Sequence, residues 1–115
     1  MYDGRMTTVT PTHAAAVAQA GHALSDGTRT GILLALRDGP ARPSLLAERL
    51  GVSKQVMSNQ LACLRGCGLV KAQPEGRVVW YRLADPRLGT LLRDLLELVA
   101  TVDPDCCAPE GCTCR

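Results

Sequence analysis

Leu46-Ala47-Glu48-Arg49-Leu50-Gly51-Val52-Ser53, continuing as Lys54-Gln55-Val56-Met57-Ser58-Asn59-Gln60-Leu61-Ala62-Cys63-Leu64-Arg65-Gly66-Cys67-Gly68, is the stretch on which the fold turns. Leu45, Leu46, Ala47 and Leu50 line one side of a short helix opened by Pro43 and Ser44, and Gly51 stops it. Ser53 then offers a side-chain oxygen just ahead of a second helical period, as a cap should. That second helix runs to about Cys67, with Val56 or Met57, Leu61 and Leu64 inward, and Gly68 stands where a left-handed residue ends it. Two short helices joined by Gly51-Val52-Ser53 make a helix-turn-helix.

Upstream, residues 1–11 show no periodicity and read as a flexible arm. An Ala-rich helix is predicted over Thr12 to Leu24, with Thr12 as its N-cap. Ser25-Asp26-Gly27 is a turn, after which Asp26 or Thr28 caps a helix through Ile32, Leu33, Leu34 and Leu36, ending near Gly39-Pro40. Downstream, Leu69 to Ala72, a turn at Gln73-Pro74-Glu75-Gly76 and Arg77 to Leu83 predict a two-stranded hairpin. Asp85-Pro86 starts a last helix carrying Leu88, Leu91, Leu92, Leu95, Leu96, Leu98, Val99 and Val102. These apolar positions fill more than one face, so one side is expected against the chain's own core and another against a second subunit.

A chain of 115 residues builds one modest core, and with no Phe, one Trp and two Tyr that core is aliphatic and mostly helical. No apolar run spans a bilayer and the N-terminus lacks a secretory segment, so the expected location is the cytoplasm, without a membrane partner. No catalytic constellation is visible, which argues against an enzyme. The net charge is only +2, yet residues 27–82 hold nine Lys or Arg against three acids, a basic centre suited to phosphates or to a solvated surface.

Six cysteines are many for a chain of this size. In a reducing compartment they favour metal or redox chemistry over structural disulfides. Cys63 and Cys67 lie one helical turn apart, close enough to share an ion, although Cys67 near Leu64 also reads as a small apolar residue. Thiolates suit Cd(II), Pb(II), Hg(II), As(III), Cu(I) or Zn(II). Cys106, Cys107, Cys112 and Cys114 lack the spacing of a zinc knuckle and read as a flexible set of donors. They complete that site, form a second soft-metal or arsenite site, or scavenge metal adventitiously. His13 and His22 are the only histidines, and His22 reads as a surface residue. On the second helix Ser53, Lys54, Gln55, Ser58 and Asn59 present groups that meet phosphates and base edges in a major groove.

Ala23-Leu24-Ser25-Asp26-Gly27-Thr28-Arg29 resembles the opening of the ArsR/SmtB family of bacterial metal-sensing repressors, with Gly27 replacing the usual Pro. Leu46 to Ser53, Leu61, Leu64-Arg65 and Gly68-Leu69-Val70 follow that family's helix-turn-helix, and Glu75-Gly76-Arg77 and Tyr81-Arg82-Leu83 its wing. The resemblance covers about residues 20–103. It implies a mainly α winged helix-turn-helix with a small β-hairpin, acting as a homodimer through the N-terminal and C-terminal helices on double-stranded operator DNA. Arg77, with Lys71 and Arg82, would set the wing against the DNA backbone.

Cys63-Leu64-Arg65-Gly66-Cys67 resembles the cadmium- and lead-sensing branch, in which two recognition-helix thiolates and one from the C-terminal region hold the metal. That implies Cys106 or Cys107 as third ligand, with Cys112 and Cys114 in excess. Asn59-Gln60 stands where many relatives carry His. The expected organisation is an arm at 1–11, a DNA-binding and dimerisation domain at 12–103 and a cysteine-rich tail at 104–115. The expected activity is repression relieved by Cd(II) or Pb(II). As(III), Hg(II) or Zn(II) as inducer, a thiol redox switch, and a metal buffer with a vestigial helix-turn-helix stand as alternatives.

Overall fold

Capping chemistry sets where the helices begin and end. In the computed structural model of the chain, which describes residues 11–99, the order is α1 (Pro11–Leu24), α2 (Gly27–Leu36), α3 (Pro43–Leu50), α4 (Lys54–Gly66), β1 (Val70–Glu75), β2 (Val78–Leu83) and α5 (Pro86–Val99). The helix-rich architecture with one small hairpin is the one predicted. The rest of the predicted arm, the tail at 104–115 and Val102 lie outside the described residues.

α1 starts one residue earlier than expected, because Pro11 takes the first helical position, where its missing N–H costs nothing. Thr12 therefore lies inside the helix and is not its cap. α2 is capped by Asp26, whose carboxylate accepts from the Arg29 N–H at 3.0 Å, while Thr28 sits within the first turn. This helix ends at Leu36, short of the expected Gly39-Pro40. The N–H groups of Asp38 and Gly39 then close tighter bonds to Ala35 and Leu36 oxygens at 3.3 and 3.2 Å.

The hairpin departs from its predicted turn. Gln73, Pro74 and Glu75 belong to β1, pairing antiparallel with Trp80, Val79 and Val78, and the loop is Gly76-Arg77 alone. Gly76 supplies the positive φ of +65° that such a tight loop requires. Pro74 is tolerated in a strand because a two-stranded ribbon has only edge strands. Ala41 and Tyr81 exchange backbone bonds of 2.9 and 2.8 Å, which pins the α2–α3 connection to β2.

The core is aliphatic, as the composition requires: Ile32, Leu33 and Leu36 of α2, Leu46 of α3, Met57, Leu61 and Leu64 of α4, Val70 of β1 and Leu92 of α5. Met57, not Val56, is the inward residue at the start of α4, and Leu45 is exposed despite its apolar character. Burying a side chain of this size contributes about 1.5 to 3 kcal/mol, so three from α4 hold that helix firmly. Among the described residues two apolar or Ala-rich stretches stay exposed. Residues 12–22 of α1 are exposed, with Val17 73% accessible. Along α5, Leu91, Leu95, Leu96 and Val99 are exposed, and Leu95, Leu96 and Val99 line an apolar groove of about 150 Å³ with Leu24, Leu34 and Leu92. No helix among the described residues is long and apolar enough to cross a membrane.

Candidate functional site

The turn that presents α4 is built from two caps in succession. Gly51 adopts φ +66° and ψ +35°, directing its N–H back to the Ala47 and Glu48 carbonyls, and Val52 N–H bonds Ala47 O at 3.1 Å. Ser53 is extended, and its Oγ accepts from the Val56 N–H at 3.1 Å, so the hydroxyl proton remains able to reach a phosphate. With Met57, Leu61 and Leu64 inward, Ser53, Lys54, Gln55, Ser58 and Asn59 are all exposed. Gln55 Nε2 donates to Asn59 Oδ1 at 3.0 Å, one turn on, which fixes both amides on the outer face. Arg77 is exposed at the hairpin loop.

Ser44, Arg42 and Arg65 were not named as site residues from the sequence, whereas Lys71 and Arg82 were. Ser44 of α3 borders a cleft of about 270 Å³ together with Lys54, Ser58 and Tyr81, so the crease between α3 and α4 is polar at its mouth. Arg65 shares a second cleft, of about 550 Å³, with Lys71 and Arg82. Lys71 and Arg82 stand directly opposite each other in the hairpin, a like-charge pair that an anion relieves. The guanidinium of Arg42 lies over Trp80, 5.9 Å from the ring centroid, midway along β2. Ser44 and Arg42 carry no motif of their own; the signal is a hydroxyl and a cation beside Pro43 at a helix start.

Arg29, counted above among the basic centre, does not serve the outer face. It is half-buried, and its guanidinium donates to the Ala23 and His22 carbonyls at 2.9 and 3.0 Å and to Gln60 Oε1 at 3.0 Å. Gln60 is thus engaged with Arg29 of α2, which in turn bonds the end of α1. His22 is exposed, as expected, and its carbonyl also accepts from Ser25 Oγ at 2.6 Å.

Cys63 and Cys67 are both free and half-buried. Cys67 caps the C-terminus of α4 and its N–H bonds the Cys63 carbonyl at 3.0 Å, which keeps the two residues in helical register, one above the other. Gly68 follows with φ +77°, as predicted. This pair fits two of the donors a soft ion needs. Among the described residues no group of three or more His, Cys, Asp and Glu comes together to hold a metal. Cys106, Cys107, Cys112 and Cys114 lie outside the described residues.

Residues 26–72, from the cap of α2 to β1, match the bacterial regulatory proteins of the arsR family. Over 90 residues the chain is 51% identical to the HTH-type transcriptional regulator CmtR of Mycobacterium tuberculosis, covering 78% of this chain and 76% of that protein. The chain belongs to the ArsR family. Its fold is similar to the NMR structure of the cadmium metal-sensor CMTR from the same organism, with a TM-score of 0.64, 50% identity and coverage of 79% of this chain and 97% of that one. It is also similar to the homodimeric winged helix-turn-helix DNA-binding domain of a possible ArsR-family transcriptional regulator from Mycobacterium bovis. That likeness has a TM-score of 0.68 and 33% identity, and covers 83% of this chain and 90% of the domain. This ArsR-family chain is accordingly a transcriptional regulator with a winged helix-turn-helix, α4 is its recognition helix and the hairpin its wing, and it is not an enzyme.

Proposed function

We propose that this regulator is a cytoplasmic repressor that grips a pseudo-palindromic operator as a metal-free homodimer and is released by a soft, thiophilic ion, Cd(II) or Pb(II) before As(III), Hg(II) or Zn(II). The observation that carries the reading is the register of Cys63 and Cys67. Two free, half-buried thiols stand one turn apart on the same helix that presents Ser53, Lys54, Gln55, Ser58 and Asn59. The cadmium sensor among the similar structures supports the choice of ion. Two donors leave a trigonal thiolate set one short, and Cys106 or Cys107 supplies the third, with Cys112 and Cys114 as further donors. In this arrangement the chain divides functionally into the arm at 1–11, the body at 12–103 and the tail at 104–115.

The mechanism follows from where the thiols sit. Ser53, Lys54, Gln55, Ser58 and Asn59 meet the major groove, and Arg77 on the wing meets the adjacent backbone. α1 and α5 pair with their counterparts in the second subunit through the exposed apolar face described above. A soft ion supplies one thing, a bond strong enough to tie the tail to α4. Tying the tail to Cys63 and Cys67 favours a dimer whose recognition helices no longer match successive grooves. Linkage then requires DNA to weaken metal binding by the same factor, commonly about 1 to 3 kcal/mol.

An oxidative switch within the pair is disfavoured by the same register. Positions one turn apart on a helix have Cβ atoms about 5 to 6 Å apart, whereas a disulfide needs about 3.5 to 4.5 Å.

Gel shifts on operator DNA with Cd(II), Pb(II), arsenite and Hg(II) test the reading. Release by a soft ion in the wild type, and its loss in C63S and C67S with the metal-free complex intact, is the expected result. Undiminished operator binding in saturating metal would refute it.

A further inference from the structure

Arg29 stands where three helices meet. Its backbone N–H is held by the Asp26 carboxylate, which fixes it in the first turn of α2. From there Nε and Nη2 donate to the Ala23 and His22 carbonyls at the C-terminal end of α1, at 2.9 and 3.0 Å. Nη1 crosses to α4 and donates to Gln60 Oε1 at 3.0 Å. Helix-end carbonyls lack intrahelical partners and favour a cation, and the rigid planar fork of Arg29 bonds two carbonyls and a side-chain amide at once.

Gln60 has a telling position. At 100° per residue it falls within about 60° of both Cys63 and Cys67, so the thiols and the amide share one stripe of α4. The apolar contacts of Met57, Leu61 and Leu64 resist withdrawal of the helix but have no preferred direction. A hydrogen bond weakens steeply with misalignment and so restrains rotation about the helix axis. A pull on the thiol stripe therefore acts first on the Gln60 bond, one turn away.

We infer that Arg29 and Gln60 are a positioning pair, which holds α4 against the end of α1 in the DNA-competent orientation and which occupancy of Cys63 and Cys67 must break. The inference rests on the metal-responsive reading above and deepens it. The pair opposes the ion, so it sets how much metal is needed before the operator is released. Removing it shifts the free protein toward the metal-ready orientation.

The test uses the full-length reduced protein as wild type, Q60L, R29M and the double variant. Gln60→Leu keeps the volume and removes the acceptor. Two quantities are measured: cadmium affinity without DNA, from the thiolate-to-metal ultraviolet absorption, and the cadmium concentration that half-releases the operator in gel shifts. A charge-assisted hydrogen bond at a half-exposed site corresponds to about a fivefold to tenfold effect. Q60L is therefore expected to bind cadmium about five to ten times more tightly and to release DNA at a correspondingly lower concentration. In the R29M background the same change is expected to have no further effect. A merely structural loss would leave cadmium affinity unchanged or weaken it, and either result overturns the inference. So does a full additional effect of Q60L in the R29M background. If R29M lacks a cooperative melting transition, R29K takes its place, and because an ammonium can still reach Gln60 the effect of Q60L is there expected to be reduced, a full effect again overturning the inference. Failure of cadmium to release the wild-type protein sinks the metal-responsive reading itself, a result separate from these.

Discussion

Leu91 of α5 measures whether the uncovered apolar face is a subunit interface. It is 59% exposed in the protomer. Leu91→Ala deletes three carbons, each contributing about 0.8 kcal/mol when buried, or about 2.4 kcal/mol in full. Only the exposed 59% is left for a partner to cover, which reduces the loss at the interface to about 1.4 kcal/mol per subunit. A two-fold interface counts it twice, giving about 3 kcal/mol and a dimer dissociation constant raised about a hundredfold. Alanine is the better helix former, so α5 itself does not weaken. Sedimentation equilibrium across a range of concentrations reads the constant directly, and operator binding should weaken at concentrations where the variant is monomeric. An L91A dimer as tight as the wild type would remove this face from the interface and refute the placement of α5.

Three further outcomes are expected. Gly51→Ala places its Cβ in open space but at φ +66°, so urea denaturation should show a loss of about 1 to 2 kcal/mol that is wholly conformational. An unchanged midpoint would mean that the turn into α4 relaxes. Arg77→Ala should weaken binding to all DNA sequences alike and flatten the salt dependence of binding by about one phosphate contact per subunit. A sequence-selective loss would instead mean that Arg77 reads bases. The Asp85 carboxylate accepts from the Arg87 side chain and then from the Arg87 N–H at 2.8 Å, which lowers its pKa from 3.8 to about 2. A depressed folded pKa gives stability that is present above pH 3.8 and lost as pH falls toward about 2. Carboxyl NMR titration should find that midpoint, and an ordinary one would show that the α5 cap is not formed.

What could be read in advance was whatever local chemistry decides. Gly51, Ser53, Gly68 and the Asp85-Pro86 pair each punctuate a helix through their own backbone or side-chain preferences, and all act where expected. The thiol register was legible for the same reason, being a matter of spacing along one helix. The hairpin loop was misplaced because Pro74 looks like a turn residue, whereas its pairing opposite Val79 is decided by the partner strand. Arg29 was counted as a surface cation because nothing nearby in sequence reveals that Gln60, 31 residues on, accepts a hydrogen bond from it. Arg42 over Trp80 and Ser44 beside Lys54 were equally invisible, since each depends on α3 packing beside β2 and α4.

Among the described residues no aromatic ring is fully buried, and the chain's one tryptophan sits in the wing beneath the Arg42 guanidinium. Intrinsic emission excited through indole therefore originates at a single known point in the hairpin. A phosphate that draws Arg42 off the ring would change that emission. The molecule carries its own optical probe of wing engagement, and no label need be attached to follow it.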